Sequence, residues 1–136
     1  MKLGRAILFS LMLMPFFTEA SARYGHKIEV QEALRSELNS VLKAASLLHG
    51  ACFEQNESRI EEQTRAVIAS LDKAAKKSAL AHMQRTLLLK IIEAARSKLE
   101  MSQNFSGDER KESLKGAFKD IVQMAQAFKL DHYRIF

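Results

Sequence analysis

Tryptophan is absent from this chain, cysteine and proline each occur once, and only five glycines are spread over 136 residues. The lone cysteine, Cys52, excludes an internal disulfide, so packing alone must hold the fold together. The lone proline, Pro15, lies near the N-terminus, and from Arg23 onward no residue lacks the backbone donor that a helix needs. No stretch alternates apolar and polar residues over the length of a strand. The sequence has no C-x-x-C-H, which excludes covalent haem. Inward carboxylates with E-x-x-H spacing are missing too, which argues against a di-iron bundle. There is no glycine-rich phosphate loop. The basic residues are scattered without interleaved aromatics, so nucleic acid is not expected as a partner.

What is present begins with "MKLGRAILFSLMLMPFFTEASA". Lys2 and Arg5 form a basic start, Ala6 to Phe17 an apolar run, and Ala20-Ser21-Ala22 a small-residue cleavage pattern. This is the anatomy of a secretory signal peptide over residues 1–22, too short to span a bilayer comfortably. Residues 23–136 then form one mature domain, periplasmic or secreted, that meets the membrane only transiently through its leader. Setting Lys2, Arg5 and Glu19 aside lowers the net charge by one from +5. A domain of this size buries roughly two-thirds of its unfolded surface, enough for one core.

The mature region reads as four amphipathic helices. In the first, Val30, Leu34, Leu38, Val41, Ala45 and Leu48 step by fours and threes, and Gly50 serves as the stop. The second carries Ile60, Thr64, Val67, Leu71 and Ala74, with Asn56 or Ser58 as N-cap and Lys73, Lys76 and Lys77 at its end. The third has the widest apolar stripe (Leu80, Met83, Leu87, Leu88, Ile91, Ile92, Ala95, Leu99) and is expected to be the best covered. Ser106 and Glu109 have the spacing of a capping box that opens the fourth, followed by Leu114, Phe118, Ile121, Ala125 and Phe128. Short connections predict an all-α fold, an antiparallel up-down-up-down four-helix bundle. Each helix would be about 30 to 36 Å long.

That topology sorts the chemically interesting side chains into two groups. One end collects His26, His82, Met83 and His132, together with Tyr133. Imidazole and thioether ligands suit copper, and imidazole also suits zinc, so these four residues are the candidate metal site. The ordinary alternative is a set of exposed helix-end histidines. The other end collects His49, Cys52, Phe53, Met101 and Phe105. His49 and Cys52, three residues apart, would share a face if the first helix ran through Gly50, with Met101 as a soft third ligand. A nucleophilic cysteine needs a base held in place by a third group, and no such group is identifiable. Cys52 therefore reads as a small, semi-buried thiol beside Phe53. Haem held between helices is not expected, because the histidines sit at the ends. No triad or closed ligand set can be assembled, so an enzyme is not expected. "NES" at Asn56 and "NFS" at Asn104 match the glycosylation sequon, but the leader fits a bacterial signal peptide equally well, and there the match would usually mean nothing.

The segments "EEQTRAVIASLDKA", "AHM", "GDERKESLKGAF" and "DHYRIF" resemble a bacterial periplasmic domain of unknown function. That domain is found alone or fused to membrane-fusion adaptors of heavy-metal (copper and silver) efflux systems. The likeness covers most of the mature region. It implies the fold and the compartment, with His82 and His132 matching polar positions of the family. The family commonly continues into an aromatic-Cys-Pro-Met ending that this sequence lacks. The combined expectation is a periplasmic accessory or binding protein in heavy-metal handling, with copper or zinc as its ion and efflux or other envelope proteins as partners. A metal-free interaction module that docks an envelope protein through a helical face is the competing expectation.

Overall fold

The computed structural model describes residues 27–77 and 82–130. The expected leader at 1–22, along with His26, Leu80, His132 and Tyr133, lies outside the described residues. So does the side chain of His82. Within them the chain is an all-α four-helix bundle: α1 (Glu32–Phe53), α2 (Glu57–Lys76), α3 (His82–Ser102) and α4 (Gly107–Ala127). The helices have 22, 20, 21 and 21 residues, hence lengths of about 30 to 33 Å. No described helix is long and apolar enough to cross a membrane.

Two antiparallel hairpins, α1–α2 and α3–α4, pack intimately within themselves, and the bundle closes more loosely where α2 meets α3 and α1 meets α4. The core runs the length of the bundle: Leu34, Leu38, Leu42 and Leu48 from α1, Val67 and Leu71 from α2, Leu88 and Leu99 from α3, Ile121 and Met124 from α4.

On α2 all five expected positions, Ile60 to Ala74, are buried. Elsewhere the buried faces differ from the expected stripes. The widest among the described residues belongs to α1, not α3, and adds Asn39, Leu42, Ala44 and Ala51 to the expected set. Val30 lies in extended chain before the helix. Met83 is 81% exposed rather than part of the α3 stripe. On α4 the buried line is Leu114, Ala117, Ile121, Met124 and Ala127, so Phe118 and Ala125 sit half-buried at its edge.

The helix ends also correct the reading. Gly50 does not stop α1, which runs one more turn and seals Ala51 in the core. The stop is a Schellman turn: Gln55 N–H donates to Cys52 O and Asn56 N–H to Ala51 O, both at 3.1 Å, with Gln55 at φ +58°. The pattern of the two bonds and the left-handed residue between them defines that motif. Asn56 does cap α2, its Oδ1 accepting from Arg59 N–H at 3.2 Å. Ser106 occupies the N-cap of α4 in extended conformation, but its side chain makes no capping bond. The chain enters α4 through Gly107 at φ +61°, a backbone state that glycine adopts without steric cost.

A feature absent from the helical reading closes the opposite end. Ile28 and Phe128 form a single parallel bridge, with Ile28 N–H donating to Ala127 O and Lys129 N–H to Ile28 O, each at 2.8 Å. Phe128 is fully buried beneath it.

Candidate functional site

The chain-terminal end of the bundle brings together residues 27–31 before α1, the close of α2, the opening of α3 and residues 128–130 after α4. Lys77 Nζ lies 3.7 Å from Glu37 Oε2, which ties the close of α2 to the opening turns of α1. Lys27 Nζ donates to Ala125 O at 3.1 Å, and Lys129 Nζ to Glu29 Oε2 at 3.0 Å, so both sides of the bridge are pinned. Around this end the sequence places its four metal candidates. His26 immediately precedes the described chain, His132 follows its last residue by two, and His82 is the first residue of α3. Met83 points largely into solvent.

The loop end brings together the close of α1 and the starts of α2 and α4. Because α1 continues through Gly50, His49 and Cys52 do lie one turn apart on a continuous helix. Both face α4, but at different levels. The His49 ring stands edge-on to Phe118, with centroids 5.6 Å apart and planes at 77°. Cys52 lines a cleft of about 600 Å³ with Ile60, Leu114, Arg110 and Glu57. Cys52 is half-buried, and Phe53 beside it is 86% exposed at the cleft.

Across the cleft Arg110 grips Glu57 with two bonds, Nη1 to Oε1 and Nη2 to Oε2, each 2.6 Å. The paired guanidinium holds the Glu57 carboxyl below its usual range, and the carboxylate in turn raises Arg110. Burial pushes the Cys52 thiol up, more than the nearby Arg110 pulls it down, and Glu57 adds to the rise. A raised thiol holds little thiolate near neutrality, and the thiolate is the form that attacks or binds metal.

Met101 does not join Cys52. It lines a separate groove with Phe105, Asp108, Glu109 and Glu112. The α4 residues of that groove (108, 109, 112) and those of the Cys52 cleft (107, 110, 114) occupy opposite faces of the helix at 100° per residue. The soft trio His49, Cys52 and Met101 is therefore split over separate surfaces. Among the described residues no group of three or more His, Cys, Asp or Glu side chains is disposed to hold a metal ion.

Two features went unread in the sequence. One is the Arg110–Glu57 clasp, whose only signal was that both residues fall in the first turn of helices starting at the same end. The other is the α3–α4 groove, hidden because its acidic residues looked sufficient as helix-start charges. No protein-family model, curated protein or solved structure matches the chain.

Proposed function

We propose that this chain is an exported periplasmic accessory protein that binds a transition-metal ion, copper or zinc, and is not an enzyme. The ligands would come from His26, His82 and His132, with Met83 at the rim. The observation that supports the reading is the Ile28–Phe128 bridge. It joins the chain two residues after His26 to the chain four residues before His132. At no more than about 3.6 Å per residue, covalent reach keeps both within a short span of that bridge. The antiparallel bundle puts the opening of α3, where His82 stands, at the same end. Imidazole suits either metal, and an exposed thioether nearby favours copper. The sequence resemblance to periplasmic domains associated with heavy-metal efflux points the same way, and efflux or other envelope proteins are the partners it implies.

The test is calorimetric titration of the folded chain with Cu(II) and Zn(II). Each imidazole must be neutral to bind, so affinity is expected to fall as pH drops through about 6.5, the ordinary histidine value. Replacing His82 and His132 together with alanine is expected to weaken binding far more than His49→Ala does. Unchanged binding in the double variant, or no binding by the wild type at micromolar metal, overturns the proposal.

A further inference from the structure

The groove between the close of α3 and the start of α4 has a volume of about 550 Å³ and is open to solvent along one side. Its apolar floor is Met101, 48% exposed, and Phe105. Its rim carries Asp108, Glu109 and Glu112. One cation, Lys98, also borders it, but that charge is engaged by an acid of α4. Lys98 Nζ donates to Asp120 Oδ2 at 2.6 Å, and its stem crosses Gly116, where a Cβ would meet Lys98 Cδ at 3.0 Å. The missing side chain at Gly116 thus lets the lysine lie flat and leaves the rim without its nearest counter-ion.

The charge pattern sets this groove apart from the rest of the surface. Glu29, Glu32, Glu37, Glu54, Glu57, Asp72, Glu100 and Asp120 each hold a cation. Of the acids without an ion pair among the described residues, Glu61 and Glu62 lie on α2 and Glu93 on α3, whereas Asp108, Glu109 and Glu112 line one groove. They gather on a chain whose net charge is +5. The α4 dipole accounts for acidic residues in its first turn, but not for an exposed methionine and a half-buried phenylalanine between them. A flexible thioether on an apolar floor adapts to varied side chains.

We infer that the α3–α4 groove docks a segment of a partner protein in which one large apolar residue is flanked by lysine or arginine. The apolar side chain fills the floor over Met101 and Phe105, and its basic neighbours meet Asp108, Glu109 and Glu112. Charge complementarity selects this occupant. An anionic lipid surface is repelled by the rim. A second copy could offer only an apolar residue exposed elsewhere on the bundle, Leu47, Phe53 or Met83, a contact that would show as self-association. The groove lies at the loop end, so the inference does not depend on the histidine end.

The test uses fluorescence anisotropy with a labelled synthetic peptide carrying one leucine between paired lysines and arginines. Two controls replace the leucine with alanine or the basic residues with glutamate. The basic–leucine peptide is expected to bind the folded chain, and to weaken as salt rises because rim charges are screened. Both controls are expected to bind at least about ten-fold more weakly, a difference equivalent to about 1.4 kcal/mol. The E109K/E112K variant is expected to lose binding by a similar factor while its circular dichroism spectrum stays helical, and Met101→Gln to weaken it with the charges intact. Equal binding of all three peptides, or full binding by E109K/E112K, overturns the inference. So does concentration-dependent self-association that the same reversal abolishes, since the occupant would then be a second copy. If E109K/E112K fails to fold, Glu112→Gln and Met101→Gln decide the matter alone.

Discussion

Gln55 is a polar, solvent-facing residue at the turn between α1 and α2, yet it carries a left-handed backbone at φ +58°. An L-residue there crowds its own Cβ against the following carbonyl, at a cost of about 1–2 kcal/mol. The two Schellman bonds that it separates offset this strain, and they also terminate α1. Gln55→Gly keeps those bonds and removes the crowding. It is expected to stabilise the fold by about 1 kcal/mol after glycine's own entropy is counted. Thermal melts of the two proteins check it, and an unchanged or lower midpoint would show that the Gln55 side chain contributes something to the cleft it borders. The sequence reading placed this stop at Gly50, five residues too early. Glycine is a frequent helix stop but not an obligatory one, and burying Ala51 outweighs the modest penalty of glycine in a helix.

At the scale of elements, the loop end is clasped by the first turns of α2 and α4. Arg110 is mostly covered while Glu57 is 69% exposed, so solvent screens the pair and its contribution is small. Its pH dependence nonetheless has a definite sign. The folded state lowers the Glu57 carboxyl. Its stabilisation is therefore fully present above the unfolded glutamate value of about 4.3 and is lost as pH falls through the lowered folded value. Glu57→Gln is expected to melt slightly below wild type near neutrality, with the gap closing below pH about 4. Melts across pH 3 to 7 measure this, and a gap that persists at the acid end would mean that the substitution acts through helix-start charge or packing instead.

The whole molecule depends on a core without covalent staples. Leu88 is fully buried, with Ile91, Ile92 and Leu99 following on the same face of α3. A carboxylate placed there is without a counter-ion in the core, and burying it costs several kcal/mol, a large part of the roughly 5–15 kcal/mol by which such domains are stable. Leu88→Asp is expected to abolish or nearly abolish the cooperative melt seen by circular dichroism. A folded variant with a near-native midpoint would mean that α3 rotates to expose position 88, and that the two hairpins are held more loosely than their buried faces imply.

Helix number, helix length, the antiparallel order and the core positions of α2 were all determined by the sequence, because apolar spacing, the absence of proline after Pro15 and the cap at Asn56 are local signals. Periodicity identifies an apolar sector but not its centre. On α4 Phe128 is buried as expected, but Phe118 and Ala125 lie at the edge, because packing centred the face on Ala117, Ile121 and Met124. On α1 the buried face extends beyond the apolar steps to Asn39, Leu42, Ala44 and Ala51. The sites divide in the same way. That His49, Cys52 and Met101 share one end was legible from topology. That they face separate surfaces depends on the rotation of α1, α3 and α4 about their axes, which only side-chain packing decides. The Ile28–Phe128 bridge, the Arg110–Glu57 clasp and the reach of Lys98 across Gly116 to Asp120 each pair residues remote in sequence, so no local pattern encodes them and the tertiary structure alone brings them together.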